Sequence, residues 1–79
     1  MKVQVLFFGA TAEAVGSREV EINAKAGAKA GDVFRQIIGD FPQLEKHSLL
    51  FAVNQQYSKG TETIKIGDEL AIFTAVSGG

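Results

Sequence analysis

Cysteine is absent from this chain of 79 residues, and histidine occurs once, at position 47. Without thiols there is no disulfide, thiolate metal site, iron–sulfur ligation or thiol catalysis. A single imidazole likewise excludes zinc sites built on several histidines. Charge of one sign is also lacking: eight Lys and Arg stand against nine Asp and Glu, for a net charge of −1. No basic stripe of the kind nucleic-acid binders need is present. Nor does any apolar run approach a membrane span. Residues 1–8 begin like a signal sequence, but Gln4 interrupts a run already too short for one. These absences predict a soluble, cytoplasmic protein with no nucleic-acid or membrane partner. A chain this short buries only about 60% of the surface its unfolded form exposes. Small domains usually add disulfides, a metal or a partner to compensate. The composition leaves a partner protein as that support.

The apolar residues that are present fall into two periods. Val3, Val5 and Phe7 alternate with Leu6 and Phe8, which predicts a strand over residues 2–9 that is apolar on both faces toward its end. Thr11 to Val15 reads as a short helix stopped by Gly16. A second alternating run follows from Ser17 to Ala24, with Val20 and Ile22 inward and Glu19 and Glu21 outward. Val33, Phe34, Ile37, Ile38 and Phe41 then recur at helical spacing, the stripe of an amphipathic helix that packs on a sheet. Asp32 suits the first turn of that helix, and Pro42 ends it. Leu49 to Val53 is an apolar strand closed by Asn54-Gln55-Gln56, and Glu69 to Val76 is a last strand. Between them, Ile64 and Ile66 are expected to plug one edge of the core. The element order predicts an α+β roll: one domain over residues 1–75, a mixed sheet with one main helix across one face. Residues 76–79 are expected to form a flexible tail.

Catalytic chemistry has little to work with. His47 sits between Lys46 and Ser48 in a loop-like stretch and reads as a solvated surface residue. Adjacent acids such as Asp68 and Glu69 point to opposite faces of a strand. Gly27 and Gly31 belong to no phosphate-binding motif. The chain therefore reads as a substrate or partner of enzymes, with no catalytic residues of its own. Phe8 and Phe73 are more informative. If Val3, Val5, Phe7, Leu70 and Ile72 face the helix, both phenylalanines face the opposite side, where a contiguous apolar patch marks a binding surface. Tyr57 is a candidate for the same surface. At the end stand Val76, Ser77, Gly78 and Gly79. Two glycines without Cβ atoms make the thinnest backbone a chain can offer, able to thread a narrow cleft and present an α-carboxylate to another protein's active site.

Val5-Leu6-Phe7-Phe8, Ala52-Val53-Asn54-Gln55, the run from Gly67 to Phe73, and the terminal Val76-Ser77-Gly78-Gly79 together carry a resemblance. In order and spacing they look like the MoaD branch of the MoaD/ThiS sulfur carriers, the small subunits of molybdopterin synthase. The resemblance implies a β-grasp (ubiquitin-like) fold and no bound cofactor. It implies that an ATP-using, ubiquitin-activating-like adenylyltransferase activates the carboxylate of Gly79, and that a sulfur donor converts it to a thiocarboxylate. The tail, with Gly78 beside the reactive end, would then enter the large synthase subunit of a heterotetramer, where the sulfur goes to cyclic pyranopterin monophosphate. Docking positions would fall on Phe8, Tyr57 and Phe73, with Val76 and Ser77 leading into the cleft. Two departures stand out: Thr74-Ala75 replaces a common Pro-Pro, and Ala12 lies near a position where relatives often carry Arg. The residues leave open a carrier for thiamine thiazole or sulfur amino acids, a ubiquitin-like modifier, or an interaction module with an inert tail.

Overall fold

In a computed structural model of the protein, residues 1–75 are described. Val76, Ser77, Gly78 and Gly79, to which the sequence assigns the tail, lie outside the described residues. The elements are β1 (Lys2–Phe7), α1 (Ala10–Val15), β2 (Glu19–Asn23), α2 (Ala30–Asp40), β3 (Leu49–Val53), β4 (Gln56–Tyr57) and β5 (Glu69–Thr74). A 3-10 turn at Pro42–Lys46 links α2 to β3. The five strands form one sheet in the order β2-β1-β5-β3-β4. At its centre β1 and β5 run parallel, and every other neighbouring pair is antiparallel. This is the mixed roll with one main helix that the sequence predicts.

Period-two alternation sends Val3, Val5 and Phe7 of β1 and Leu70 and Ile72 of β5 to one face, where all are buried. The stripe of α2 meets them through Ala30, Val33 and Ile37. Aromatic contacts fasten the two layers: Phe34 of α2 stacks on Phe51 of β3 with ring centres 4.4 Å apart, and Phe41 meets Phe7 edge-on at 5.8 Å.

The start of α2 shows how a short helix is held. Its first N–H groups have no partner within the helix. Here Ala30 donates to the Glu62 carbonyl at 2.9 Å and Gly31 to that of Gly60 at 3.0 Å. A Cβ on Gly31 would lie 3.2 Å from the Gly60 oxygen, so a side chain there would press the two segments apart. The same loop returns Ile64, 2% exposed, to the core, with its N–H on the Ala28 carbonyl at 2.8 Å.

Three local expectations are corrected. Ile66 does not plug the core: it is 86% exposed. The segment is not a strand there, because Lys65 N–H binds the Asp68 carboxylate at 2.7 Å and closes a turn that puts Ile66 outside. The loop around His47 is partly helical, since Pro42 starts a 3-10 turn that buries Leu44 completely. The turn after β3 is shorter than Asn54-Gln55-Gln56. Asn54 and Gln55 carry it alone with φ of 49° and 70°, the left-handed pair of a tight hairpin, and Gln56 already belongs to β4.

Candidate docking face

Every strand that contributes to the core has a second set of side chains pointing the other way. Register aligns these into rows. Leu6 of β1 lies opposite Ala71 of β5, Ala71 opposite Ala52 of β3, and Ala52 opposite Tyr57 of β4. One row further on, Phe73 of β5 lies opposite Leu50 of β3. Phe8 continues the ladder beyond β1, its N–H donating to the Ile72 carbonyl at 3.1 Å. Tyr57 reaches across to Phe73, with ring centres 5.8 Å apart.

Both helices pack into the core cluster on the opposite side of the sheet. The rows therefore meet solvent: Tyr57 is 76% exposed, Phe8 52% and Leu50 40%. The rows become polar toward the other end of the sheet, where Gln4 lies between Glu21 and Glu69. Beyond it, Lys2 pairs with Glu21 at 3.6 Å. The apolar part thus lies at the end where β5 finishes. Ala75 leaves the sheet there with its N–H on the Ser48 carbonyl, 2.8 Å away. Phe8, Tyr57 and Phe73, selected from the sequence, share this face; Val76, Ser77, Gly78 and Gly79 lie outside the described residues.

Sequence reasoning missed three residues here. Leu50 stands one residue from the core-facing Phe51, and only the register against Phe73 reveals that it joins the open side. Arg18 lines an open pocket of about 300 Å³ together with Leu6, Phe8, Gly9 and Ala12, and makes no ion pair among the described residues. Arg18 therefore shares this pocket with Ala12, although it comes from the next loop. Thr11 is wholly buried, its hydroxyl bonded to the backbone of Phe8 and Ile72. A polar residue at the start of a helix gave no signal of that contact.

Perturbed acids lie away from the apolar rows. The Asn54 side-chain amide donates to Asp68 at 2.9 Å and holds its carboxyl below the usual range. The Ser58 hydroxyl does the same for Glu62. Both are loop braces. Among the described residues no group of three or more His, Asp or Glu is placed to hold a metal ion, and no helix is long and apolar enough to cross a membrane.

Compared with known proteins, residues 5–79 match the ThiS family. The chain belongs to the ThiS family. This ThiS-family chain is 36% identical to a molybdopterin synthase sulfur carrier subunit from Chlamydomonas reinhardtii, over 100% of both chains. It is 35% identical to the subunit of the same name from Mycobacterium tuberculosis, over 100% of this chain and 99% of that one. Among solved structures, SAMP1 from Haloferax volcanii superposes with a TM-score of 0.87 at 29% identity, each chain covered completely. A ubiquitin from Caldiarchaeum subterraneum shares the fold at a TM-score of 0.65 and 20% identity, over 100% of this chain and 98% of that one. The ThiS-family chain is thus a β-grasp, ubiquitin-like domain.

Proposed function

We propose that this protein is a sulfur carrier of the molybdopterin synthase small-subunit kind. The observation that carries this reading is the end-to-end likeness to sulfur carrier subunits, 36% identity with both chains covered completely. The open face supports it, because its apolar rows lie at the end of the sheet from which the chain proceeds toward Gly78-Gly79.

The chemistry follows from the carboxylate of Gly79. A bare carboxylate is a poor electrophile. Attack of its oxygen on the α-phosphorus of ATP, in the adenylyltransferase, releases pyrophosphate and leaves an acyl adenylate. Sulfur from the donor, at the sulfide level, then attacks the acyl carbon; AMP departs with the bonding pair and a thiocarboxylate remains. The open face docks on the large subunit, and docking brings the tethered sulfur to cyclic pyranopterin monophosphate at high effective concentration. Glycine at the last two positions keeps the tail thin enough for both active sites. The carrier itself holds no cofactor; ATP serves the activating enzyme, and the cytoplasm is where these partners would be met.

The test is the intact mass after incubation with the cognate activating enzyme, ATP and a sulfur donor. The expected result is a gain equal to one oxygen replaced by sulfur, mapped to Gly79 and lost in a chain lacking Gly79. An unchanged mass under those conditions would overturn the reading. The likeness to SAMP1, named as a small archaeal modifier protein, favours a second use of the same carboxylate: an isopeptide bond to lysines. Higher-mass adducts that survive denaturation would reveal it.

A further inference from the structure

We propose that Thr11 is a positioning residue for docking, whose buried hydroxyl sets the placement of Phe8 against β5. The proposal rests on the docking reading of the open face given above. The Thr11 hydroxyl accepts the Phe8 N–H at 3.0 Å and lies 2.7 Å from the Phe8 carbonyl and 2.9 Å from the Ile72 carbonyl. Its one proton is shared between two carbonyl oxygens, one just past β1 and one in β5, and a lone pair takes the amide.

The fold does not need this hydroxyl. Without it the Phe8 N–H keeps the Ile72 carbonyl at 3.1 Å, and the Phe8 carbonyl keeps the Thr11 N–H at 3.2 Å. Removal therefore orphans no buried backbone group, and valine fills the same volume. What the hydroxyl adds is selection among placements of the Phe8–Gly9 corner. Six residues are too few for α1 to hold its own geometry, and its N-cap Gly9 supplies no side chain to help. The two backbones it joins belong to an exposed aromatic, Phe8, and to the residue before Phe73. Fixing them in advance lowers the ordering cost of docking, which is how preorganisation raises affinity.

The experiment measures the affinity of the full chain for the large synthase subunit in wild type, Thr11→Val, Thr11→Ser, Phe8→Ala, and the double variant Thr11→Val with Phe8→Ala. Losing the hydroxyl's selecting hydrogen bonds is expected to weaken binding roughly fivefold to tenfold in Thr11→Val. Thr11→Ser keeps the hydroxyl and is expected to bind within about twofold of wild type. The decisive readout is coupling: Thr11→Val should cost nothing further once Phe8 is alanine. An equal loss in both backgrounds, or no loss in Thr11→Val while Phe8→Ala weakens binding, would overturn the positioning role and leave the docking reading intact. If Phe8→Ala and Phe73→Asp both bind like wild type, the docking reading itself fails. Should Thr11→Val not fold, Thr11→Ala takes its place in the same cycle, and the same two outcomes decide.

Discussion

The two faces of the sheet are built from the same strands, one residue apart, and differ in almost every physical respect. Leu70 and Ile72 are fully buried against α2, whereas Ala71 and Phe73 between and beside them remain partly open. The covered side is mostly aliphatic and sealed. The open side carries the aromatics Phe8, Tyr57 and Phe73, and solvent reaches them. A domain of this size has little apolar surface to spare, so rows left outside its own core point to a second surface that must be covered. One side holds the fold together, and the other is the face to which the proposed docking is assigned.

Substitutions on adjacent positions of β5 break the comparison most directly. Ile72→Ala removes buried methyl groups and is expected to cost about 2–5 kcal/mol, a large share of the stability of a domain this size. Phe73→Asp is expected to leave the melting temperature nearly unchanged and weaken large-subunit binding roughly thirtyfold or more. Thermal denaturation and titration calorimetry read the two effects separately. If Phe73→Asp unfolds the protein as readily as Ile72→Ala, the faces are not independent.

A smaller effect sharpens the edge of the open side. Gln55 holds φ of 70° without being glycine, asparagine or aspartate, in the turn that presents Tyr57. Gln55→Gly relieves that conformation and is expected to add up to about 1 kcal/mol of stability. Denaturant titration checks this, and binding should stay unchanged because the register of Tyr57 against Ala52 is kept.

The smallest effect is in acid. Asp68, ordinarily near 3.8, is lowered chiefly by the Asn54 amide, and Glu62 is lowered by Ser58. A lowered folded value means that the unfolded chain takes up protons first as the pH drops. The stabilisation is therefore complete above the ordinary carboxylate range and is lost as the pH falls through the lowered values. Solvent screening keeps it small. Asp68→Asn should flatten part of that acid limb in pH-dependent melting, by slightly lowering the melting temperature at neutral pH and leaving it nearly unchanged below the limb.

Much of this was legible in the residues. Val3, Val5, Phe7, Leu70 and Ile72 announced their side by a period of two, and Val33 and Ile37 by a period near four. Gly16 stops α1 as expected, in the left-handed conformation with its N–H on the Ala12 carbonyl. What stayed hidden depends on contacts distant in sequence. Leu44 is buried because a 3-10 turn folds it under α2, and Ile66 is outside because Asp68 captures the Lys65 amide. Leu50 joins the open face through register and Arg18 lines a pocket beside Phe8, while buried Thr11 reaches the backbone beneath it through a hydroxyl that bonds across 61 positions to Ile72. Periodicity reports which way a residue points along its own element; it does not report what lies opposite.

The central place of β5 also governs when the protein can come into being. Residues 69–74 fill the gap between β1 and β3, so both strands keep a raw edge until this last stretch has been synthesised and released. A chain halted earlier can form the β1–β2 hairpin and α2 but cannot close its sheet. Its most distant segments must meet, which makes closure a late and comparatively slow event. Any copy that has folded has therefore already been made as far as Thr74, at the threshold of the tail. Closure of the sheet thus reports that synthesis has passed β5.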